Sequence, residues 1–287
     1  MRPGFYIGVN MEGVALLGTR IYLAVDASSV TAAEIADSVK GRRLRTLAHE
    51  PLAAGALVPG AAGSNLADAE AVRAAMGRAL GRVSRSRVTL VLPDGIARLA
   101  LLEPSRGVPT REYVRYRLAS SLPWPATEAS FDAIDAGSGR VVGAAIRRTT
   151  VAEYEQAATA VGANVEQVHL APLLALAGLR GQDADAAHAV LGDVAMCLVF
   201  VRDRALLALR SRRRDRSQGE AARLREELRK LAAGTANGNG NVPLVVSGSD
   251  AARLRPQIGA AGLLDGVAPA GSPQRADEPG WLAGLLA

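Results

Sequence analysis

The chain has 287 residues, 49% apolar but only 3% aromatic, so it can build one large domain or two lobes around an Ala, Val and Leu core. Its net charge of +6 rests almost wholly on arginine, Lys40 and Lys230 being its only lysines, and leaves an anionic partner open. Cys197 stands alone and His49, His169 and His188 lack ligand spacing, which argues against a disulfide or metal centre; with no spanning apolar run and no signal-peptide pattern, the expectation is a soluble, intracellular protein.

Residues 1–20 read as a Gly-rich lead-in. Ile21 to Val25 is a strand, Asp26-Ala27-Ser28-Ser29 a tight turn, and Val30 to Ile35 the returning strand. Arg43 to Glu50 suggests a third strand. Asp68 caps a helix whose apolar stripe is Val72, Met76, Ala79 and Leu80. Val88 to Leu92 is a buried strand ending at Pro93-Asp94, and Ala97 to Glu103 is another.

Thr110 is the expected N-cap of a helix carrying Tyr113, Val114, Tyr116 and Leu118. Leu122-Pro123-Trp124-Pro125 stops it, since each proline lacks a donor and pushes its predecessor out of helical space. Ala129, Phe131, Ala133 and Ile134 then approximate a half-buried strand. On these residues alone Trp124 is a core side chain at an αβ corner. Val141 to Ile146 is a strand, Arg147 to about Val161 a helix stopped at Gly162-Ala163-Asn164, Val165 to Leu170 a strand, and Ala171 to Leu179 a helix. Arg180 to Ala187, rich in Asp, Gln and Gly, is the predicted boundary.

Beyond it come the strand Ala189 to Leu191, a turn at Gly192-Asp193, and Met196 to Val201 hairpinned through Arg202-Asp203-Arg204 to Ala205–Leu209. Arg210, Arg212, Arg213, Arg214 and Arg216 follow, either as a solvated loop or as a contact for an anionic membrane surface; the run holds no aromatic residue for base stacking. A helix from Glu220 to Ala232, a flexible TANGNGN linker, the strand Val242 to Val246, Ser247-Gly248-Ser249-Asp250 and a helix from Ala251 complete the pass.

A helix ending in the Leu122-Pro123-Trp124-Pro125 corner and running on into SFDAI resembles the PilM family, actin-like proteins of the type IV pilus assembly platform related to the cytoplasmic part of GspL of type II secretion. LAVDASSVTAAEI is similar to that family's opening GIDIGSSSVKAVEL, keeping Asp26, Ser28 and Ser29, with Ala27 near the usual glycine. The resemblance runs in order from Ile21 to Ala287, with only a short span between Leu209 and Val242 where a lid subdomain is usual.

The resemblance implies an α/β, actin-like (ribonuclease H-like, duplicated) two-lobe fold. Lobe one spans 21–180 with a small insertion subdomain at about 105–148, and a shortened lobe two spans 188–287. It also implies a vestigial nucleotide site at Asp26, Ser28, Ser29, Gly192 and Gly248. Aligning the second hairpin puts Val190 at the expected aspartate; Asp193 would substitute only after a slip of three, which turns strand side chains to the wrong face. The implied role is a non-catalytic adaptor at the cytoplasmic face of the inner membrane, among other platform proteins, holding the tail of a PilN-like or GspM-like bitopic partner in a groove near Leu122 and Trp124. No cofactor, metal or nucleic acid is expected. An ATPase that still binds ATP and Mg is the alternative, and self-association as a ring stays open.

Overall fold

The structure, a computed structural model, describes residues 18–38, 41–83, 87–104, 108–179, 185–216, 219–233, 244–248, 250–259, 281, 282 and 285. The lead-in to residue 17, residues 180–184 of the predicted Arg180 to Ala187 boundary and the TANGNGN linker lie outside the described residues, and Ala186 and Ala187 of that boundary already belong to a strand.

Lobe one opens with β1 (Gly18–Asp26), β2 (Ser29–Ser38) and β3 (Gly41–Pro51), a meander of antiparallel pairs turned at Ala27-Ser28. The helix α1 (Ala69–Leu80) then returns the chain to β4 (Arg87–Leu92), which pairs parallel to β1. Asp68 caps α1 by accepting from the Ala71 amide, and Val72, Ala75, Met76 and Ala79 form its buried stripe. β1 reads as a continuous apolar run because both faces are covered. Ile21, Leu23 and Val25 share a core with α1, whereas Tyr22 and Ala24 pack with Trp281, Leu282 and Leu285 on the other side.

A three-stranded sheet is inserted after β4, built from β5 (Ala97–Leu102), α2 (Thr110–Ala119), β6 (Ala129–Gly137) and β7 (Arg140–Arg147) in the order β5-β7-β6. The inserted unit therefore takes in β5 as well as the predicted 105–148. Thr110 is the first helical residue and not the cap: Pro109 holds the cap position and has no side chain to donate or accept there. The chain resumes with α3 (Arg148–Ala160), β8 (Asn164–Leu170), parallel to β4, and α4 (Ala171–Leu179). Six of nine α4 residues are buried, as an all-round apolar helix requires.

Lobe two repeats the plan of lobe one. Its strands β9 (Ala186–Leu191), β10 (Ala195–Arg202) and β11 (Ala205–Arg213) form an antiparallel meander, α5 (Glu220–Ala233) crosses back, and β12 (Leu244–Gly248) pairs parallel to β9. The order β11-β10-β9-β12 thus reproduces β3-β2-β1-β4. A second helix of this lobe, α6 (Ala251–Gly259), packs with α5. Between β11 and β12 the described residues hold α5 and no inserted sheet. The predicted strand ending at Leu209 runs four residues further and takes in Arg210, Arg212 and Arg213.

Candidate functional site

Three strands deliver a carboxylate to one cleft between the lobes. β1 ends on Asp26, β4 is followed by Pro93-Asp94, and β9 by Gly192-Asp193. Carboxyl ends of strands in open α/β sheets are where ligands bind.

Contacts cross the cleft in both directions. From lobe one, the Ser28 backbone N–H donates to Asp193 Oδ2 at 3.0 Å and the Ser28 hydroxyl donates to the same oxygen. From lobe two, the Ala195 N–H donates to Asp94 Oδ2 at 3.0 Å. Asp26 Oδ1 accepts from the Ala27 N–H at 2.8 Å. Asp193 Oδ1 accepts from Arg216 at 2.6 Å, so both oxygens of this carboxylate are engaged.

Asp26 is half-exposed as a residue, but its carboxyl group turns into the cleft away from bulk water. That burial, reinforced by the negative charges of Asp193 and Asp94, pushes its pKa up to about 8. Burial likewise pushes Asp94 up to about 7, against the pull of the Ala195 and Val194 amides. A neutral carboxylic acid is a poor cation ligand, so a divalent ion entering here would first have to expel protons. Among the described residues no group of three His, Cys, Asp or Glu is arranged to hold a metal ion.

The two glycines assigned to the site are required by the chain's own packing. A Cβ on Gly192 would lie 2.0 Å from Asp94 Oδ2. One on Gly248, whose φ is +92°, would lie 2.0 Å from the Leu191 carbonyl oxygen. Ser29 begins β2 opposite Asp26. The space left between Asp26, Asp94, Leu170, Val190, Met196 and Trp281 is about 50 Å³. That is room for a few waters, whereas small-molecule pockets run to roughly 300 Å³ or more. Ser28 bonded to Asp193, glycines approached by protein atoms and a small cavity do not fit a bound nucleotide triphosphate in this arrangement.

The face argument against Asp193 fails for a physical reason: Asp193 lies in a turn, between Gly192 and Ala195 that are bonded to each other, and turn side chains escape the alternation of a strand. By the same pairing, Gly192 opposite Ala195 is the counterpart of Asp26 opposite Ser29, so the place assigned to Val190 moves by two residues. Asp94 was not singled out from the sequence. Its position two residues beyond the end of a parallel strand is the signal that would have found it.

The arginine run is neither a loop nor a free cationic surface throughout. Arg210 and Arg212 reach Glu227 of α5 at 3.3 and 3.6 Å, and Arg213 is exposed. The Arg214 side chain is fully covered: it binds Glu220 at 2.7 Å, Asp250 at 3.0 Å and the Gly192 carbonyl at 2.5 Å. Arg216 joins Asp193 to Asp250. The anionic-surface reading is therefore corrected for Arg214, which is a buried clamp on the second hairpin. Trp124, too, is core: it packs with Val114, Leu118 and Phe131, and its Nε1 has no acceptor among the described residues. Leu122 beside it is half-buried.

A repeated sheet order in two lobes around a cleft at the strand ends defines the actin-like ATPase fold, and solved structures of that class match this chain. The PilM-PilN type IV pilus biogenesis complex matches with a TM-score of 0.66 at 18% identity, over 85% of this chain and 86% of that one. A Bacteroides thetaiotaomicron protein of unknown function with an actin-like ATPase fold gives 0.55 at 9%, over 85% and 88%. The cytoplasmic domain of EpsL, an inner membrane component of the Vibrio cholerae type II secretion system, gives 0.50 at 11%, over 85% and 95%. The likeness to PilM and GspL drawn from the sequence is thus borne out at the level of fold. No protein-family model and no curated protein sequence matches the chain.

Proposed function

We propose that this protein is an actin-fold adaptor of a pilus or secretion assembly platform, that it holds the cytoplasmic tail of a bitopic membrane protein, and that its interlobe cleft is a degenerate nucleotide site. The observation that carries the reading is the Ser28–Asp193 contact: the donors that would receive a phosphate are bonded to the chain's own carboxylate. The likeness to a PilM-PilN complex across most of both chains supports the partner class. Among the described residues no helix is long and apolar enough to cross a membrane. On this reading, attachment to the cytoplasmic face of the inner membrane comes through the partner whose tail the chain holds.

The groove sought for the tail would lie beside Leu122, which is half-buried against the core cluster of the inserted subdomain. An extended peptide there would gain affinity from apolar pockets and main-chain hydrogen bonds. Titration of the full chain with a peptide of the tail should give a micromolar Kd, weakened roughly tenfold or more by Leu122→Asp. Equal binding by wild type and variant would reject the groove, and no binding to any bitopic tail would reject the adaptor.

An ATPase that still binds and slowly hydrolyses ATP keeps one feature in its favour, the gathering of Asp26, Asp94 and Asp193 at the strand ends. It requires the lobes to part and Ser28 to be released.

A further inference from the structure

We propose that Asp193 is an internal anion: its carboxylate occupies the oxyanion site of the first hairpin and latches the lobes together, so that a free phosphoanion can bind Ser28 only by displacing it. The inference rests on reading the cleft as a degenerate nucleotide site and adds what fills it.

A tight turn at the end of a strand, with an amide and a hydroxyl directed outward, is an anion-binding arrangement. Here both groups, the Ser28 N–H and Oγ–H, converge on one oxygen of Asp193. The other oxygen takes the Arg216 guanidinium at 2.6 Å, and the Asp193 side chain is only 6% exposed. A carboxylate held by an amide, a hydroxyl and an arginine is bonded as a phosphate oxygen pair would be.

Arg216 is itself held from behind. It shares Asp250 with Arg214, Arg214 bonds Glu220, and Arg253 bonds Glu220 at 2.9 Å and Asp250 at 3.6 Å. The latch is thus built into a charged network joining the second hairpin to the starts of α5 and α6. Arg214 also donates to the Gly192 carbonyl, fixing the turn that presents Asp193. Replacing the internal anion with an external one needs no new donors, only the departure of Asp193 from Ser28. An equilibrium in which the open form is a minor population lowers apparent anion affinity by that fraction.

The test is amide NMR of the full chain titrated with inorganic phosphate, with chloride at matched ionic strength as the control. In Asp193→Ala the amide at position 28 should shift and saturate with phosphate, with affinity roughly tenfold or more above wild type. Adding Ser28→Ala should weaken that binding. Equal phosphate response in wild type and Asp193→Ala, or none in either, overturns the latch. Should Asp193→Ala fold poorly, Ser28→Ala alone tests it from lobe one: hydrogen exchange at position 28 should quicken several-fold, and unchanged exchange overturns the proposal. These readouts use neither ATP nor the tail peptide, so the latch can fail while the adaptor reading stands, and the reverse.

Discussion

Asp26 binds its proton more tightly in the folded chain than in the unfolded one, and the sign of the consequence follows directly. With a folded pKa near 8 against 3.8, the native state binds more protons across that window, so Asp26 supports stability at low pH and withdraws that support as pH rises through 8. Asp94 acts in the same direction up to about 7. His188 opposes both: burial lowers its pKa from 6.5 to about 4, which removes stability as pH falls through that range. The window from pH 7 to 9 therefore isolates Asp26. There the melting temperature of wild type should fall as pH rises, and Asp26→Asn should flatten the slope and melt several degrees higher at pH 9. Parallel slopes in thermal unfolding would contradict the burial assigned to this carboxyl. None of this was visible in the first hairpin alone. The sequence marks Asp26 and Ser28 as turn residues, but the burial that raises the Asp26 pKa, and the Asp193 and Asp94 charges that reinforce it, come from segments far along the chain.

Local rules carried most of the secondary elements. Asp68 with its apolar stripe identified α1, and Pro123 and Pro125 ended α2 and delivered the chain to β6. Where local rules failed, a tertiary partner decided. Arg214 reads as solvated in a basic run, and only Glu220 and Asp250, brought in by α5 and α6, make it a buried clamp. A signal was nevertheless present: Arg210, Arg212, Arg214 and Arg216 alternate, the period of a strand, and β11 runs to Arg213. Trp124 was open between core and groove because an αβ corner admits both; the side chains of α2 and β6 fill the space around it. Its indole N–H is buried without an acceptor among the described residues, a loss that Phe would not incur. Trp124→Phe should therefore be nearly neutral in urea unfolding, whereas Trp124→Ala should cost about 3–5 kcal/mol. Equal losses would mean that the N–H has a partner.

At the scale of the molecule, the repeat of β3-β2-β1-β4 in β11-β10-β9-β12 brings two hairpins face to face. The duplication was legible as an ordered series of elements, but the reach of one hairpin into the other was not. Several contacts hold the lobes together. β11 runs beside the inserted sheet, where a Cβ on Gly137 would lie 3.0 Å from the Ala205 Cα. Apolar residues of α4 share a core with Val190, Cys197 and Val199 of lobe two. Trp281, on the Tyr22 ring with centroids 6.2 Å apart, borders the cleft that both lobes line. The result is an actin-like frame in whose cleft, as we propose, the chain's own Asp193 takes the place of a ligand. The most direct measurement is calorimetric titration of the full chain with Mg-ATP near neutral pH: the account predicts no heat of binding, and saturable micromolar binding with release of phosphate would contradict it.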